Sequence, residues 1–194
     1  MLRYLLRPFA FLGVRHPGTL LPWLNWVLPA LFAAILVGLL AWLMPTVNLF
    51  SNDGLFVRIL GFVQSLPGFY IAALAAIATF NQPALDVLMP GKPPTGHIVF
   101  NGKMVEVELT RRRFLCLLFS YLTAISFLLT IGLVAATSLS GPLKITLTTV
   151  AGALDLSIAR WAVGWLLFAA LGQMMTVTFY GLFYIGERMH TNDI

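Results

Sequence analysis

Four long runs of apolar residues dominate the sequence. They cover residues 22–44, 55–80, 114–136 and 161–185. Each run is continuous rather than alternating, and each supplies the roughly 20 residues that a helix needs to cross about 30 Å of hydrocarbon. Since only helices and closed barrels satisfy every backbone polar group in lipid, these runs predict four transmembrane helices. The expected fold class is an all-α integral membrane protein in which residues 1–194 form a single membrane domain.

The composition agrees with this expectation. Of the 194 residues, 59% are hydrophobic and 10% are charged, whereas a soluble domain carries about 25% charged residues. The mean hydropathy is +0.90. These values exclude an ordinary soluble globular domain.

The distribution of lysine and arginine predicts the orientation. Nine of the twelve flank the runs on one side, namely Arg3, Arg7, Arg15, Lys92, Lys103, Arg111, Arg112, Arg113 and Arg188. The other side holds Arg58, Lys144 and Arg160. By the positive-inside rule both termini are expected in the cytoplasm, with the chain in the cell inner (plasma) membrane.

Two segments outside the spans have amphipathic character. Residues 1–16 place Arg3, Arg7 and Arg15 opposite Leu5, Phe9 and Leu12, which predicts an interfacial helix or, alternatively, an extension of the first span with snorkelling arginines. The segment 138–160 contains Ser140-Gly141-Pro142, and apolar residues follow these three at helical spacing. This pattern predicts a helix on the outer side that lies on the membrane surface or is partly re-entrant. Such a helix would either cap the bundle or have a function at that face, which would be sensing a signal or closing a pore.

The connection 81–113 predicts a β-hairpin between spans two and three. Asn101-Gly102 stands between alternating apolar residues, and this pair favours a two-residue turn because both positions need positive φ. Pairing Phe100 with Lys103 places five apolar side chains on or near one face: Ile98, Phe100, Val105, Val107 and Leu109. Because an isolated hairpin is marginal in water, we expect this face to pack on the helix ends, on a neighbouring subunit or on a soluble cytoplasmic partner.

Arg111-Arg112-Arg113 follows directly and belongs to the same predicted docking surface. The alternatives are a topology anchor attracted to anionic lipid and a contact with an acidic partner or a nucleic acid. Direct nucleic-acid binding is not predicted, because the run has no accompanying aromatic surface on which bases could stack.

Small residues at helical spacing predict close helix packing in the spans, because helices in lipid associate through small side chains. The candidates are Ala30, Ala34, Gly38, Gly61, Gly68, Ala72 and Gly172. They serve either one four-helix bundle or the contacts of a homo-oligomer. Pro67, near the middle of span two, is expected to kink that helix.

The sequence offers no catalytic motif. His16, His97 and His190 lie far apart, Cys116 is the only cysteine, and zinc-protease, nucleophile-elbow and phosphate-loop patterns are absent. No ionisable residue lies near the middle of a span, so proton pumping is not predicted. We expect neither an enzyme nor a metal or cofactor site.

Three functions are compatible with these patterns. The first is a homo-oligomeric membrane sensor or scaffold that docks a soluble cytoplasmic effector through the hairpin. The second is a small oligomeric ion channel or pore, which would use the Ser/Thr face of span three and the Pro67 kink. A secondary transporter is the third, although the two halves show no convincing repeat.

The overall layout resembles the membrane subunit family of the Kiwa anti-phage defence system, KwaA. The resemblance rests on four spans, internal termini and a hairpin loop that ends in Leu109-Thr110-Arg111-Arg112-Arg113-Phe114-Leu115-Cys116. It implies a bacterial inner-membrane oligomer that senses phage infection together with a soluble partner like KwaB. It carries over no catalytic residues.

Overall fold

The computed structural model describes residues 6–14, 23–43, 48–51, 53–88, 93–100, 103–150 and 153–188. Within these ranges the description covers the backbone alone for residues 24, 97–100, 103–104, 140, 142–150, 153–157 and 187–188. The described chain is mostly helical and carries a small two-stranded antiparallel sheet.

The elements follow one another in a simple order. The helices are α1 (Leu28–Leu43), α2 (Leu55–Val63), α3 (Leu66–Thr79), α4 (Arg111–Val150) and α5 (Ala153–Phe183), and the strands are β1 (Thr95–Phe100) and β2 (Lys103–Glu108). Short 3-10 helices span Arg7–Gly13 and Pro83–Leu85, and π-helical turns span Trp23–Val27 and Tyr184–Arg188.

Four helical stretches are long and apolar enough to cross a membrane. They are Asn25–Leu43, Leu55–Thr79, Arg111–Leu139 and Ile158–Gly186. The predicted spans are confirmed in number and lie within a few residues of these limits. The chain is thus a multi-pass membrane protein with four candidate spans.

The second span is interrupted, as the sequence predicts. Its two helices, α2 and α3, are separated by a turn at Gln64–Ser65. Pro67 stands at the start of α3. It has no N–H to donate, and in a continuous helix its ring would clash with the carbonyl four residues earlier, that of Val63. Helix α2 ends at Val63 for this reason, and the Ser65 hydroxyl donates a 2.8 Å hydrogen bond to the Phe62 carbonyl.

Helix α4 extends past the boundary that the sequence predicts after span three. The sequence predicted a separate segment starting at Ser140, but α4 continues as one helix of 40 residues to Val150. At 1.5 Å per residue it is about 60 Å long, twice the thickness of a hydrocarbon core. The rest of the predicted outer segment belongs to α5, from Ala153 onward.

Helices α4 and α5 are the elements on which the other helices pack. Helix α4 contacts α2, α3 and α5, while α1 packs on α5. At the end of the bundle opposite the hairpin, the Phe56 ring lies between the rings of Phe50 and Phe168. The ring centroids are 5.0 Å apart in both pairs. Many apolar side chains point outward instead, including Ile35, Phe69 and Leu166 at 65–68% exposure, as lipid-facing positions require.

Candidate functional site at the hairpin end of the bundle

Four segments that are distant in sequence meet at one end of the bundle, which we call the hairpin end. They are the 3-10 helix Arg7–Gly13, the connection 81–110, the start of α4 and the end of α5. The sequence assigned all four to one side of the membrane from their arginine and lysine content. The structure places them next to each other, with α4 as the element that the others contact.

Arg112 clamps the connection to the membrane helices. Its Nε and Nη2 donate to the two carboxylate oxygens of Asp86 at 2.7 and 3.0 Å. Its Nη1 donates to the carbonyls of Ile77 and Phe80 at 2.8 and 2.9 Å. These carbonyls lie at the C-terminal end of α3, where a helix leaves its last acceptors without intrahelical donors. One guanidinium therefore joins the end of α3, the loop after it and the start of α4.

The charge on Arg112 also affects its partner. The hydrogen bonds from the guanidinium hold the pKa of the Asp86 carboxyl below its usual range, because they favour the charged form. The two side chains thus form a bidentate pair, the most geometrically specific form of an arginine–carboxylate contact.

The three arginines of the predicted docking run have different environments. Arg111 is 7% exposed and its Nε has no hydrogen-bond partner among the described residues, while its backbone N–H donates to the Val87 carbonyl at 3.1 Å. Arg112 is the clamp. Arg113 is exposed, and its backbone N–H donates to the hydroxyl of Thr110. The sequence treated the run as one surface, but only Arg113 has an exposed side chain.

The sheet confirms the predicted register. Phe100 pairs with Lys103 and Ile98 pairs with Val105. The predicted turn at Asn101-Gly102 lies outside the described residues. The side chains of Ile98 and Phe100 also lie outside the description. Val105 is 40% exposed, and Val107 is partly buried.

The base of the hairpin is closed by backbone contacts within the connection. The Leu109 N–H donates to the Pro94 carbonyl at 2.9 Å, and Leu88 forms an isolated antiparallel bridge with Thr110. The Leu109 side chain is 1% exposed and fills the space beside Gly96, where a Cβ would lie 3.2 Å from its methyl groups. The inner part of the hairpin is therefore covered by the protein itself, and the exposed apolar surface begins further out, at Val105.

The N-terminal segment is a packed part of this site. Phe11 is 1% exposed and stacks on Tyr121, with centroids 5.5 Å apart and planes 27° apart. It also contacts Phe114, which in turn lies 5.5 Å from the Tyr184 ring. Among the described residues 6–14, the predicted interfacial helix is thus a 3-10 helix anchored on α4; Arg3 and Arg15 lie outside the described residues. The sequence singled out Phe9 and Leu12, which pack against the core as partly buried side chains, and it missed Phe11, which is fully buried.

A groove opens between these elements, with a cavity volume of about 370 Å³. Its lining comes from the N-terminal 3-10 helix, the base of the hairpin and the first turns of α4. The residues are Arg7, Ala10, Gly96, Leu109, Arg112, Arg113, Cys116, Leu117 and Ser120. The sequence named Arg112 and Arg113 but gave no signal that Arg7 would join them, since that depends on how the N-terminal segment packs.

The predicted helix-packing residues divide into two groups. Gly172 is buried against α1, and a Cβ there would lie 2.9 Å from Phe32 Cδ1 and 3.4 Å from Pro29 Cα. Ala30 is partly buried. The remaining residues, Ala34, Gly38, Gly61, Gly68 and Ala72, are exposed in the single chain, and the three glycines among them have no neighbour within 4 Å of an added Cβ.

Gly181 is a close-contact position that the sequence did not identify. An added Cβ there would meet Leu118 Cδ2 of α4 at 3.0 Å. Its spacing of nine residues from Gly172 amounts to two and a half helical turns. The two glycines therefore lie on opposite sides of α5, one against α1 and the other against α4, and this spacing was a usable signal.

Several polar side chains inside the bundle are hydrogen-bonded locally or in pairs, whereas the buried Gln173 Nε2 has no partner among the described residues. The hydroxyls of Thr123, Ser126 and Thr130 in α4 donate to carbonyls of their own helix at 2.8–2.9 Å. Tyr70 and Thr178 form a 2.7 Å hydrogen bond between α3 and α5. Within the described part of the chain, no group of three or more His, Cys, Asp or Glu residues is placed to hold a metal ion.

Comparison of the chain with protein family models, with curated proteins and with solved structures finds no match. The class of protein therefore follows from the fold alone: a multi-pass membrane protein whose connection between the second and third spans is a folded hairpin bound to the helix ends.

Proposed function

We propose that this chain is a non-enzymatic, homo-oligomeric membrane sensor or scaffold whose hairpin docks a soluble effector protein. The hairpin end faces the cytoplasm in this proposal, because it collects most of the lysine and arginine residues. A role in bacterial anti-phage defence follows from the resemblance to the Kiwa membrane subunit, which also implies a soluble partner like KwaB.

The observation that carries the proposal is the clamp formed by Arg112. A docking element binds more tightly when it is ordered beforehand, since less conformational entropy is lost on association. Here the connection is fixed by the Arg112–Asp86 pair, by the two helix-end carbonyls and by the backbone contacts of Leu109 and Arg111. A loop that only joined two spans would not need this number of specific contacts.

The outer part of the hairpin supplies the surface for the partner. Val105 is 40% exposed on the face that it shares with Ile98 and Val107. Val105 lies four residues before Leu109, which is buried beside Gly96. An apolar side chain exposed on a rigid support is the arrangement that a protein interface uses at its centre.

The oligomer is supported by small residues that the single chain leaves open. Gly38, Gly61 and Gly68 are exposed on α1, α2 and α3 with no atom near an added Cβ. In lipid, such positions allow backbones of two helices to approach closely. We assign them to contacts between copies of the chain, while Gly172 serves the packing within one copy.

The test is a purification of the tagged full-length chain from its native host in mild detergent, with the mass of the intact complex measured. The proposal predicts a homo-oligomer with a soluble protein in fixed stoichiometry. Phe100→Ser/Val105→Ser is expected to release that protein and leave the oligomer intact. Val87→Ser is the matched control, because Val87 is 54% exposed at the same end of the bundle but lies outside the hairpin.

Three results would count against the proposal. Retention of the soluble protein by the double variant would remove the hairpin as its docking site. An oligomer without any partner would favour the pore instead, to be followed by conductance measurements in liposomes. A monomer would contradict both functions.

A further inference from the structure

Gln64 places a polar amide on the outside of the helix bundle, near the middle of the second span. The span covers Leu55–Thr79, and Gln64 is exposed at the turn between α2 and α3. At 1.5 Å per residue it lies about 14 Å from one end of the span and about 22 Å from the other. A glutamine side chain is too short to reach the membrane surface from this depth, so in a single chain its amide faces hydrocarbon.

Other exposed polar side chains of this span are satisfied within the chain. The Ser65 hydroxyl donates to the Phe62 carbonyl and the Thr79 hydroxyl donates to the Ala75 carbonyl, both at 2.8 Å. The Gln64 side chain, in contrast, has no hydrogen bond to any of the described residues. A carboxamide has two donors and an acceptor oxygen, and leaving them unpaired in hydrocarbon is costly because no water is present there. The amide therefore requires a partner from outside the single chain.

The surface beside Gln64 allows another helix to approach closely. Gly61 lies three residues before it and Gly68 four residues after it, which is the spacing of neighbours on one helical face. Gln64 and Ser65 keep right-handed helical backbone angles, with φ of −62° and −83°, so this face continues across the break in the span. Both glycines are exposed, and nothing lies within 4 Å of a Cβ added to either of them. Span two thus combines an unpaired amide with room for a second backbone.

A second copy of the chain supplies the matching group at the matching depth. Copies of one sequence insert in the same orientation, because the same lysine and arginine residues direct each of them. Across a two-fold axis normal to the membrane, each residue of span two then meets its equivalent in the other copy. A carboxamide is self-complementary, since its oxygen accepts and its NH2 group donates. Two Gln64 side chains can therefore form two reciprocal hydrogen bonds, whereas lipid hydrocarbon offers neither donor nor acceptor.

We propose that two copies of this chain associate through span two, with their Gln64 side chains hydrogen-bonded to each other between the close contacts at Gly61 and Gly68. The pairing rests on the homo-oligomer of the proposed function and identifies the surface through which two copies meet. It also fixes the register of the two helices, because a single polar pair in an apolar interface is broken by any shift along the helix axis.

The experiment measures self-association of the full chain in lipid vesicles. Energy transfer between copies that carry donor and acceptor fluorescent proteins is recorded as the protein is diluted with lipid. Gln64→Leu removes the amide and keeps a side chain of similar size. Ser65→Ala is the matched control, because it removes an adjacent, exposed hydroxyl that is already bonded within its own helix. Melting curves show whether each variant remains folded.

We expect Gln64→Leu to raise the dissociation constant between copies about five- to thirtyfold, the range for hydrogen bonds between helices in model membrane peptides. Ser65→Ala should associate as the parent chain does. A folded Gln64→Leu variant that associates as tightly as the parent would overturn the proposal and leave the proposed function standing, since another face of the bundle would then form the oligomer. A parent chain that is monomeric in vesicles would contradict the proposed function as well.

Disulfide cross-linking locates the interface without removing Gln64. Cys116 is the only cysteine of the chain, so Cys116→Ser provides a background for single new cysteines. Ala72→Cys lies two turns beyond Gln64 on the exposed side of α3, and Leu166→Cys is the control at a side chain 65% exposed on α5. Oxidation in the membrane should link two copies at position 72 and not at position 166. Linking at position 166 alone, or a product of Ala72→Cys with a different protein, would overturn the proposal.

Discussion

The contact between α1 and α5 at Gly172 can be tested by adding a single methyl group. In Gly172→Ala the new Cβ would lie 2.9 Å from Phe32 Cδ1 and 3.4 Å from Pro29 Cα. Phe32 is partly exposed and its ring can rotate away. The Pro29 backbone belongs to α1 and moves only if the whole helix shifts, so part of the strain remains.

The expected magnitude follows from two opposing terms. Overpacking in a well-packed contact costs about 1–3 kcal/mol. Replacing a glycine inside a helix by alanine gains about 0.8–1 kcal/mol. The net change at Gly172 is therefore a destabilisation of about 0–2 kcal/mol. The matched control is Gly141→Ala in α4, where nothing lies within 4 Å of the added Cβ and only the gain in helix propensity applies.

The two variants should differ in stability by about 1–3 kcal/mol, with Gly172→Ala the less stable. For a protein of this size, each 1 kcal/mol changes the melting temperature by about 2–4 °C. Intrinsic tryptophan fluorescence in detergent measures this temperature, and size-exclusion chromatography of the same samples reports the oligomeric state. A second control, Gly61→Ala, is equally open.

Equal melting temperatures for Gly172→Ala and the controls would refute the close approach of α1 and α5. If a control variant has a lowered melting temperature and its oligomer also dissociates, its glycine lies between subunits. The melting temperature of the other control is then the one with which Gly172→Ala is compared. The experiment therefore separates packing within one chain from packing between chains.

Three further predictions concern other contacts. Phe11→Ala should destabilise the protein by about 3–5 kcal/mol, the usual cost for a buried phenylalanine, and should expose the N-terminal segment to protease. The control Phe127→Ala, at a side chain that is 48% exposed, should leave protease cleavage unchanged. Equal cleavage of the two variants would contradict the anchoring role of Phe11. Tyr70→Phe and Thr178→Val, combined in a double-mutant cycle of melting curves, should show a coupling of about 0.6 kcal/mol, and strictly additive effects would argue against their hydrogen bond. The stability difference between the parent chain and Asp86→Asn should be constant from pH 5 to 8, because the folded pKa of Asp86 is lowered and its contribution is fully present above the unfolded pKa of about 3.9. The difference should shrink only as the pH falls below that value, and a decline near pH 6 would contradict the assignment.

Several features could be predicted from the sequence because they depend on local rules. The four spans follow from the length of the apolar runs, and the break in the second span follows from Pro67, which removes one hydrogen bond wherever it stands in a helix. The register of Phe100 with Lys103 follows from the turn preference of Asn101-Gly102. Each rule involves residues that are close together in the chain.

The packing faces required the tertiary structure. In water an amphipathic pattern shows which side of a helix is buried, but in lipid both the buried and the exposed sides are apolar, so the pattern does not distinguish them. Gly38 and Gly172 therefore look alike in the sequence, although only Gly172 contacts another helix of the chain. The continuation of α4 through Ser140 was missed since a serine, a glycine and a proline together favour a helix end.

The arginine run shows most clearly what the sequence determined and what it left to the fold. Sequence alone indicated that Arg111, Arg112 and Arg113 lie at the end of a span, because charged side chains are costly in hydrocarbon. Successive helical residues point about 100° apart, so their separate roles depend on what surrounds the helix in three dimensions. Packing of the connection and of the N-terminal segment around α4 made one arginine buried, one a clamp and one exposed, and it created the groove that Arg7 shares with two of them.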